Sequence, residues 1–445
     1  MKKLLAMIFL LVAICSFFTS CNKNYPPSVP AKEYPSDVAV AWMKLHMRLT
    51  MTTAGFNSIV SDRSFAYAGL TLYESIVPGM NNYQSVAMQL GAGNAGNLPD
   101  IKNSSYYWPA SANAAMAVIT KSLFGNTSPA NISSIDSLEN AFHTLFQLEV
   151  SPAEMENSEK FGKQVATVIF EWSKTDGAHE AYSHVTSPAY TPPTGAGLWV
   201  PTPLAFGAPI HPFWGNNRSF VMGIAVSTQP GPPIAYSEDS NSPFFKMVNE
   251  LYIISQSLTH EDSTIVKFWA DLPTNYNVPA HATGILTQLI VLNHLPLDKA
   301  ALAYAKHGIA LNDGSISVMK TKYTYNLIRP VSYIRNVMNH PGWNTVVPTP
   351  PHPEYSAAHA VISAAAATVL ENIFGTHYRF TDHSYDNLYG ARTYNSFDEY
   401  AIEAGRSRVL GGLHYSQSVN TGLIQGRKVG DAVNKLRFQK SGNGK

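Results

Sequence analysis

The chain has 445 residues, 45% of them hydrophobic and 14% charged, with a formal net charge of +1. That length is enough for two packed layers or lobes, and the composition excludes intrinsic disorder. Near-neutrality excludes a general nucleic-acid binder and a charge-driven membrane-surface binder, so any affinity for anions must come from a few locally placed cations.

Lys2 and Lys3 precede an apolar run over residues 4–18, followed by Thr19, Ser20 and Cys21. A basic start, a short apolar stretch and small residues before a cleavage point read as a secretory leader, too short for a comfortable membrane span. Residues 1–20 are therefore expected to be a lipoprotein signal peptide. The ending at Cys21 resembles a bacterial lipobox, in which the cysteine is acylated. It implies export across the inner membrane and lipid anchoring through Cys21 in the periplasm or outer membrane. Cys15 falls inside the leader, so the mature chain has no thiol pair for a disulfide or a cysteine-based metal site. Residues 21–36 are rich in proline and read as a tether.

Residues 37–182 form an N-terminal helical region, with apolar side chains at three- and four-residue spacing over 38–52, 62–76, 110–123, 135–148 and 152–173. Ser134 and Ser151 look like helix caps, the second followed by proline. Residues 183–242 are dense in Pro, Gly and Trp and cannot be regular helix. They read as a cover packed by its own aromatics across one face of a helical bundle; a linker between two lobes is the alternative. Helical patterns resume over 243–258, 263–272, 280–292, 297–319, 321–339, 356–374 and 397–436, with Ser396 and Glu399 in a capping-box pattern. His377, Asp382 and His383 lie in a polar stretch with a structural or solvent-exposed role. The fold class expected is all-α.

Three clusters between residues 243 and 436 carry chemistry. In the first, Arg329 follows Lys322 by seven positions, nearly two helical turns, so both cations project from one face. Two such cations repel unless an anion sits between them, and Pro330 discourages helical geometry at Arg329. In the second, prolines around His352 lead through Tyr355 and Ser356 into an alanine-rich helix. The first N–H groups of that helix, at Ala357 and Ala358, can receive an anion, and His359 sits in the first turn where an acid/base belongs. In the third, Arg408 and His414 would point a third of a turn apart on an unbroken helix, so Gly411 and Gly412 are expected to break it and let both converge.

Together these clusters resemble the signature of the type 2 phosphatidic acid phosphatase and haloperoxidase superfamily. That signature reads Lys, six residues, Arg-Pro; Pro-Ser-Gly-His; Ser-Arg, five residues, His. It matches Lys322, Arg329 and Pro330, then His359, then Ser407, Arg408 and His414. The stretches at Phe268-Trp269-Ala270-Asp271, Val278 to His281, Pro212 to Gly215, Pro350 and Gly426 resemble the vanadium-dependent haloperoxidase branch. The resemblance implies helical bundles of the haloperoxidase type and a vanadate cofactor bonded to vanadium through His414. Lys322, Arg329, Arg408, Ser356, Ala357 and Ala358 would surround the oxyanion, and His359 would manage protons. His352 would line the halide side and Asp271 would orient His359. The reaction implied is oxidation of a halide by hydrogen peroxide.

Two alternatives remain. One is a cofactor-free phosphatase in which His414 attacks a phosphate monoester or lipid phosphate; the other is a non-catalytic oxyanion-binding lipoprotein. The second is motivated by two departures from the family pattern: alanine at Ala357 where the signature has a hydroxyl, and Ser418 where a carboxylate commonly orients the histidine.

Overall fold

The computed structural model describes residues 28–90, 97–270, 272 and 275–440. The leader, Cys21, part of the tether and Asp271 lie outside the described residues. In chain order the helices are α1 (Asp37–Thr52), α2 (Ser58–Glu74), α3 (Trp108–Leu123), α4 (Pro129–Phe146), α5 (Pro152–Ser173), α6 (Ile224–Ser227) and α7 (Pro243–Ser255). Then come α8 (His260–Phe268), α9 (Val278–Leu292), α10 (Leu297–Tyr325), α11 (Pro330–Asn336) and α12 (Ala358–Phe374), and finally α13 (Phe397–Leu410) and α14 (Ser416–Asn434). Between α12 and α13, strands β1 (Phe380–Asp382) and β2 (Arg392–Tyr394) pair antiparallel, with Thr381 opposite Thr393. The fold is all-α apart from this pair.

Helix starts follow local chemistry. Asn57, Ser128, Ser151, Ser242, Asn277 and Ser396 each accept a backbone N–H in the first turn that follows. The expected cap at Ser134 is displaced to Ser128, because Ser128-Pro129 sets up the turn one and a half turns earlier, and Ser134 instead donates back to the Ala130 carbonyl at 2.9 Å. Ser396 caps α13, but the Glu399 carboxylate accepts from Asn395 N–H, so the box is only half formed. The helical pattern over 397–436 is two helices, α13 and α14, parted at the expected Gly411-Gly412 break.

Helix α10 is the central rod, 29 residues long and buried along nearly its whole length. It packs against α2 on one side and α12 on the other. The approach to α2 is backbone-close: a Cβ on Gly69 would meet the Tyr304 carbonyl at 2.4 Å, and one on Gly308 would meet the Phe65 carbonyl at 2.6 Å. Helices α12 and α14 touch in the same way, since a Cβ on Gly426 would lie 2.2 Å from the Val361 carbonyl. One hydrophobic core therefore runs from Ala31 to Phe438, shared by the helices before and after the cover. A smaller cluster of Phe244, Leu251, Ile328, Tyr333, Tyr355 and Tyr415 backs the region where α10 ends.

Residues 183–242 cover rather than link. Trp199 N–H donates to the Asn326 carbonyl and Ile210 N–H to the Pro351 carbonyl. Trp214 Nε1 reaches Ser315 at 3.1 Å, and the Asp313 carboxylate accepts Phe220 and Val221 N–H at 2.9 and 2.7 Å. The cover's aromatics mostly dock on the bundle rather than on one another: Tyr190 meets Tyr323, and Phe220 meets Tyr67 and Trp172.

Candidate active site

Lys322 lies in the last turn of α10, and the chain then reverses at Asn326, which is left-handed (φ 48°). Arg329 follows as the extended residue that enters α11 (φ −77°, ψ 151°), the geometry Pro330 demands. The expected single helical face for the two cations does not exist; they converge because the chain breaks between them. The proline segment passes under this break. Glu354 N–H donates to the Leu327 carbonyl and Ala357 N–H to the Ser418 carbonyl. On the far side α13 ends at Leu410, Gly412 adopts φ 76°, and Arg408 and His414 turn toward the same point, as the Gly-Gly reading requires.

All the polar groups here are buried. Lys322 Nζ donates to the carbonyls of Pro353, Glu354 and Ser356 at 3.0, 2.9 and 2.6 Å. Arg329 donates Nε to the His352 carbonyl (3.0 Å), Nη1 to the Leu413 carbonyl (2.9 Å) and His414 Nε2 (3.1 Å), and Nη2 to the Pro350 carbonyl (3.3 Å) and His352 Nδ1 (3.0 Å). Arg408 Nη1 donates to the Trp269 carbonyl at 3.3 Å. The carboxylate that pairs with His414 is Glu354. Its Oε1 accepts from His414 Nδ1 and Tyr415 N–H, both at 3.0 Å, and its Oε2 accepts from the Ser418 hydroxyl at 2.6 Å.

The electrostatics follow from burial and crowding. Burial, then the charges of Arg329 and Arg408, push Lys322 well below its ordinary range, with only Glu354 opposing. Burial lowers Arg329 to about 10, and burial raises Glu354 to about 7 against the pull of Ser418 and the cations. Burial followed by Arg329 holds His414 far below the usual imidazole value, so the ring is neutral. With Nδ1–H on Glu354, its Nε2 presents a lone pair, capped here by Arg329. His352 is also held neutral by burial and the nearby cations. Its Nδ1 lies 3.0 Å from Arg329 Nη2 and 3.2 Å from the Pro353 carbonyl. His359, lowered by burial and by Arg408, bonds to the Trp269 carbonyl, and its Nε2 is buried with no partner.

Several expectations change. Ser356 is neither a cap nor an available donor. The residue before α12 is Ala357, which offers no side-chain cap, and the single hydroxyl proton of Ser356 goes to Gln425 Oε1 at 2.6 Å. The N–H of Ala357 is taken by Ser418, and it is Ala358, not Ala357, that borders the cavity. Asp271 lies outside the described residues; His359 is held by the Trp269 carbonyl. Glu354, which sequence reasoning passed over, supplies the carboxylate expected near Ser418, and Ser418 supports it. The signal was a lone glutamate inside a proline run, a poor place for a solvated charge. Asp382, expected to be structural or solvent-exposed, takes the structural role: it is fully buried and 2.8 Å from His281.

His352, Ala358, His359, Arg408 and His414 line one end of a cavity of about 410 Å³. A buried excess of positive charge is costly unless an anion joins it. The neutral His414 and the unpartnered His359 Nε2 complete a donor set that fits an oxyanion such as vanadate.

Fold and site together define a helical bundle with a buried, cation-rich centre. A family model described as the VCPO second helical-bundle domain matches residues 303–441. The crystal structure of a bacterial vanadium-dependent iodoperoxidase aligns with 30% identity and a TM-score of 0.81, covering 92% of this chain and 98% of that one. Apo and holo bacterial vanadium-dependent chloroperoxidases align at 13% and 14% identity, both with TM-score 0.64, covering 91% and 89% of this chain and 94% and 92% of theirs. Those two show the shared fold. No curated protein sequence matches the chain. The chain belongs to the vanadium-dependent haloperoxidase family.

Proposed function

We propose that the protein is a vanadate-dependent haloperoxidase that oxidises a halide with hydrogen peroxide. The observation that carries this reading is the cluster of buried cations around a neutral His414 whose Nδ1–H is held by Glu354. His414 Nε2 would be the protein's bond to vanadium. Lys322, Arg329 and Arg408 would neutralise the oxyanion, each exchanging part of its present bonding to protein acceptors for charge-assisted bonds. The N–H of Ala358, first in α12, would add a donor at the positive end of the helix. His359 Nε2, a lone pair with no partner, accepts a proton from an oxygen brought against it. His352, at the cavity wall, would line the halide side. Bound vanadate would supply the electrophilic centre at which peroxide takes two electrons from the halide, H2O2 + X⁻ + H⁺ giving HOX + H2O.

The test uses iodide, because the iodoperoxidase is the relative at 30% identity. Triiodide formation by vanadate-depleted protein, with and without orthovanadate, is run beside hydrolysis of p-nitrophenyl phosphate. Iodide oxidation that requires vanadate is the expected result. Phosphate hydrolysis inhibited by vanadate, without iodide oxidation, would make the chain a phosphatase; anion binding with neither activity would make it a binding protein. The second outcome is disfavoured by Glu354, which replaces the carboxylate whose absence near Ser418 suggested it.

Lipid anchoring through Cys21, with export to the periplasm or outer membrane, is the localisation we propose from the leader. No helix among the described residues is long and apolar enough to cross a membrane. Cys21→Ala should move the protein from the carbonate-washed membrane fraction to the soluble fraction; retention in the membrane would refute the anchor.

A further inference from the structure

The cavity beside His359 and His414 extends well beyond what a small oxyanion and a halide need. Its walls are Ile59 from α2, Val318 and Met319 from α10, Val278 from α9 and Ile362 from α12. Helix α10 serves as a ruler for its length. The Gly69–Tyr304 and Gly308–Phe65 approaches make α2 and α10 antiparallel neighbours, which sets Ser58 and Asp62 beside residues 311–315. At 1.5 Å rise per residue these positions lie roughly 10–16 Å back from Lys322 along the axis. Asn57, Ser58 and Asp62 line that end, and Asp62 is only 2% exposed. The cavity thus has an oxyanion end, an apolar middle and a hydrogen-bonding end with a carboxylate.

Its rim is also apolar. Ala205 of the cover lines the cavity, and its neighbours Leu204 and Phe206 are 83% and 63% exposed. Exposed apolar side chains beside a cavity mouth mark an entry for an apolar molecule.

We propose that this cavity binds the organic acceptor of the reaction, a one- or two-ring phenol, with its hydroxyl toward Asp62 and its ring between Ile59, Val318 and Met319. The proposal rests on the haloperoxidase reading, which supplies HOX at the other end. The ring carbon's electron pair forms the C–X bond as the X–O bond breaks, and the departing hydroxide takes the ring proton as water: ArH + HOX gives ArX + H2O. Halogenation then occurs inside the protein rather than by hypohalous acid released to solvent.

The experiment uses vanadate-loaded full-length mature protein, iodide, peroxide and 2-naphthol. N-acetylmethionine is added at a concentration that abolishes iodination of 2-naphthol by reagent hypoiodite. Persistence of enzymic iodination is the expected result; suppression to the reagent level overturns the proposal. Ile59→Phe narrows the middle of the cavity and should lower the ratio of 2-naphthol iodination to triiodide formation by ~10-fold. Asp62→Asn should raise the KM for 2-naphthol by ~10-fold and leave that for 2-methoxynaphthalene, which has no donor, unchanged. An unaltered ratio, or equal KM shifts for both naphthalenes, overturns it. If no triiodide forms at all, the haloperoxidase reading fails first; if triiodide forms and scavenging is complete, the acceptor site alone fails.

Discussion

Among the described residues, two histidine–carboxylate pairs of nearly the same geometry are buried. His414 and Glu354 are 3.0 Å apart, His281 and Asp382 2.8 Å, and all four side chains are almost free of solvent. Their surroundings differ. Lys322, Arg329 and Arg408 crowd the first pair, whereas the rings of Phe268, Trp269 and Tyr385 enclose His281. At Asp382 burial pushes the pKa up, but His281 and Ser384 outweigh it and hold the carboxyl below its usual range. The second pair is closed in by aromatic rings, while three cations crowd the first. The pairing motif is common to both places, and the cluster of buried cations is what sets the first apart. The two regions are joined through Trp269. Its ring stacks on His281 at 4.7 Å, and its carbonyl receives Arg408 and His359, so the closed pair buttresses the open one.

The strongest way to break this contrast is to remove each pair in turn. His414→Ala should weaken orthovanadate binding by more than ~100-fold, beyond the 10–100-fold typical of losing an outer partner. Asp382→Asn should change it by less than about threefold while lowering stability by roughly 1–3 kcal/mol. Calorimetric titration and thermal melts on the same samples decide it; equal losses of affinity in both variants would erase the distinction. His359→Ala should cut kcat by ~10²–10⁴-fold with little change in vanadate affinity, separating proton handling from binding. A parallel loss of affinity would place His359 among the anion's holders instead.

Smaller effects sharpen the comparison. Glu354→Gln removes the charge that fixes the His414 tautomer and should weaken vanadate binding by about 10–100-fold, read by calorimetry and by the ⁵¹V resonance of the complex. Ala358→Ser adds a hydroxyl on the cavity side and should tighten binding by ~10-fold. Ala357→Ser, placed away from the cavity, should not.

Asp313 is another buried carboxylate, held by two backbone N–H groups and the Asn312 amide in place of a histidine. Burial pushes it from 3.8 up to about 7 against those hydrogen bonds. The unfolded chain loses this proton near pH 4 and the folded protein keeps it to about pH 7. Its contribution to stability is therefore present at low pH and is lost as pH rises through that window, at up to about 1.4 kcal/mol per pH unit. Denaturant melts of Asp313→Asn across the window should show a slope shallower by that amount.

Much of the site was legible because its parts are local. Proline and glycine act on neighbouring backbone, so the extended Arg329 before Pro330 and the break at Gly411-Gly412 followed from sequence alone. The helices were equally readable where apolar spacing and a capping serine agreed, as at Ser151 and α5. The order of Lys322, Arg329, His359, Arg408 and His414 carried the family resemblance. Periodicity failed where it ran smoothly past a break. The patterns over 297–319 and 321–339 hid the reversal at Asn326, because a left-handed residue leaves no mark in the spacing of its neighbours.

Read along the chain, the residues give an inventory: a helical bundle, a cover without regular structure, and three cations with two histidines in a recognisable order. Who bonds to whom is set by packing across the core. Glu354 is 60 positions from His414 and reaches it because the proline segment and the α13–α14 break are packed together. The hydroxyl of Ser356 is withdrawn from the anion by Gln425, 69 positions away, whose amide is in turn oriented by Ser317 and Thr321. A side chain's single proton or lone pair goes to the nearest well-aligned partner in space, and hydrogen-bond geometry across the core has no period along the chain.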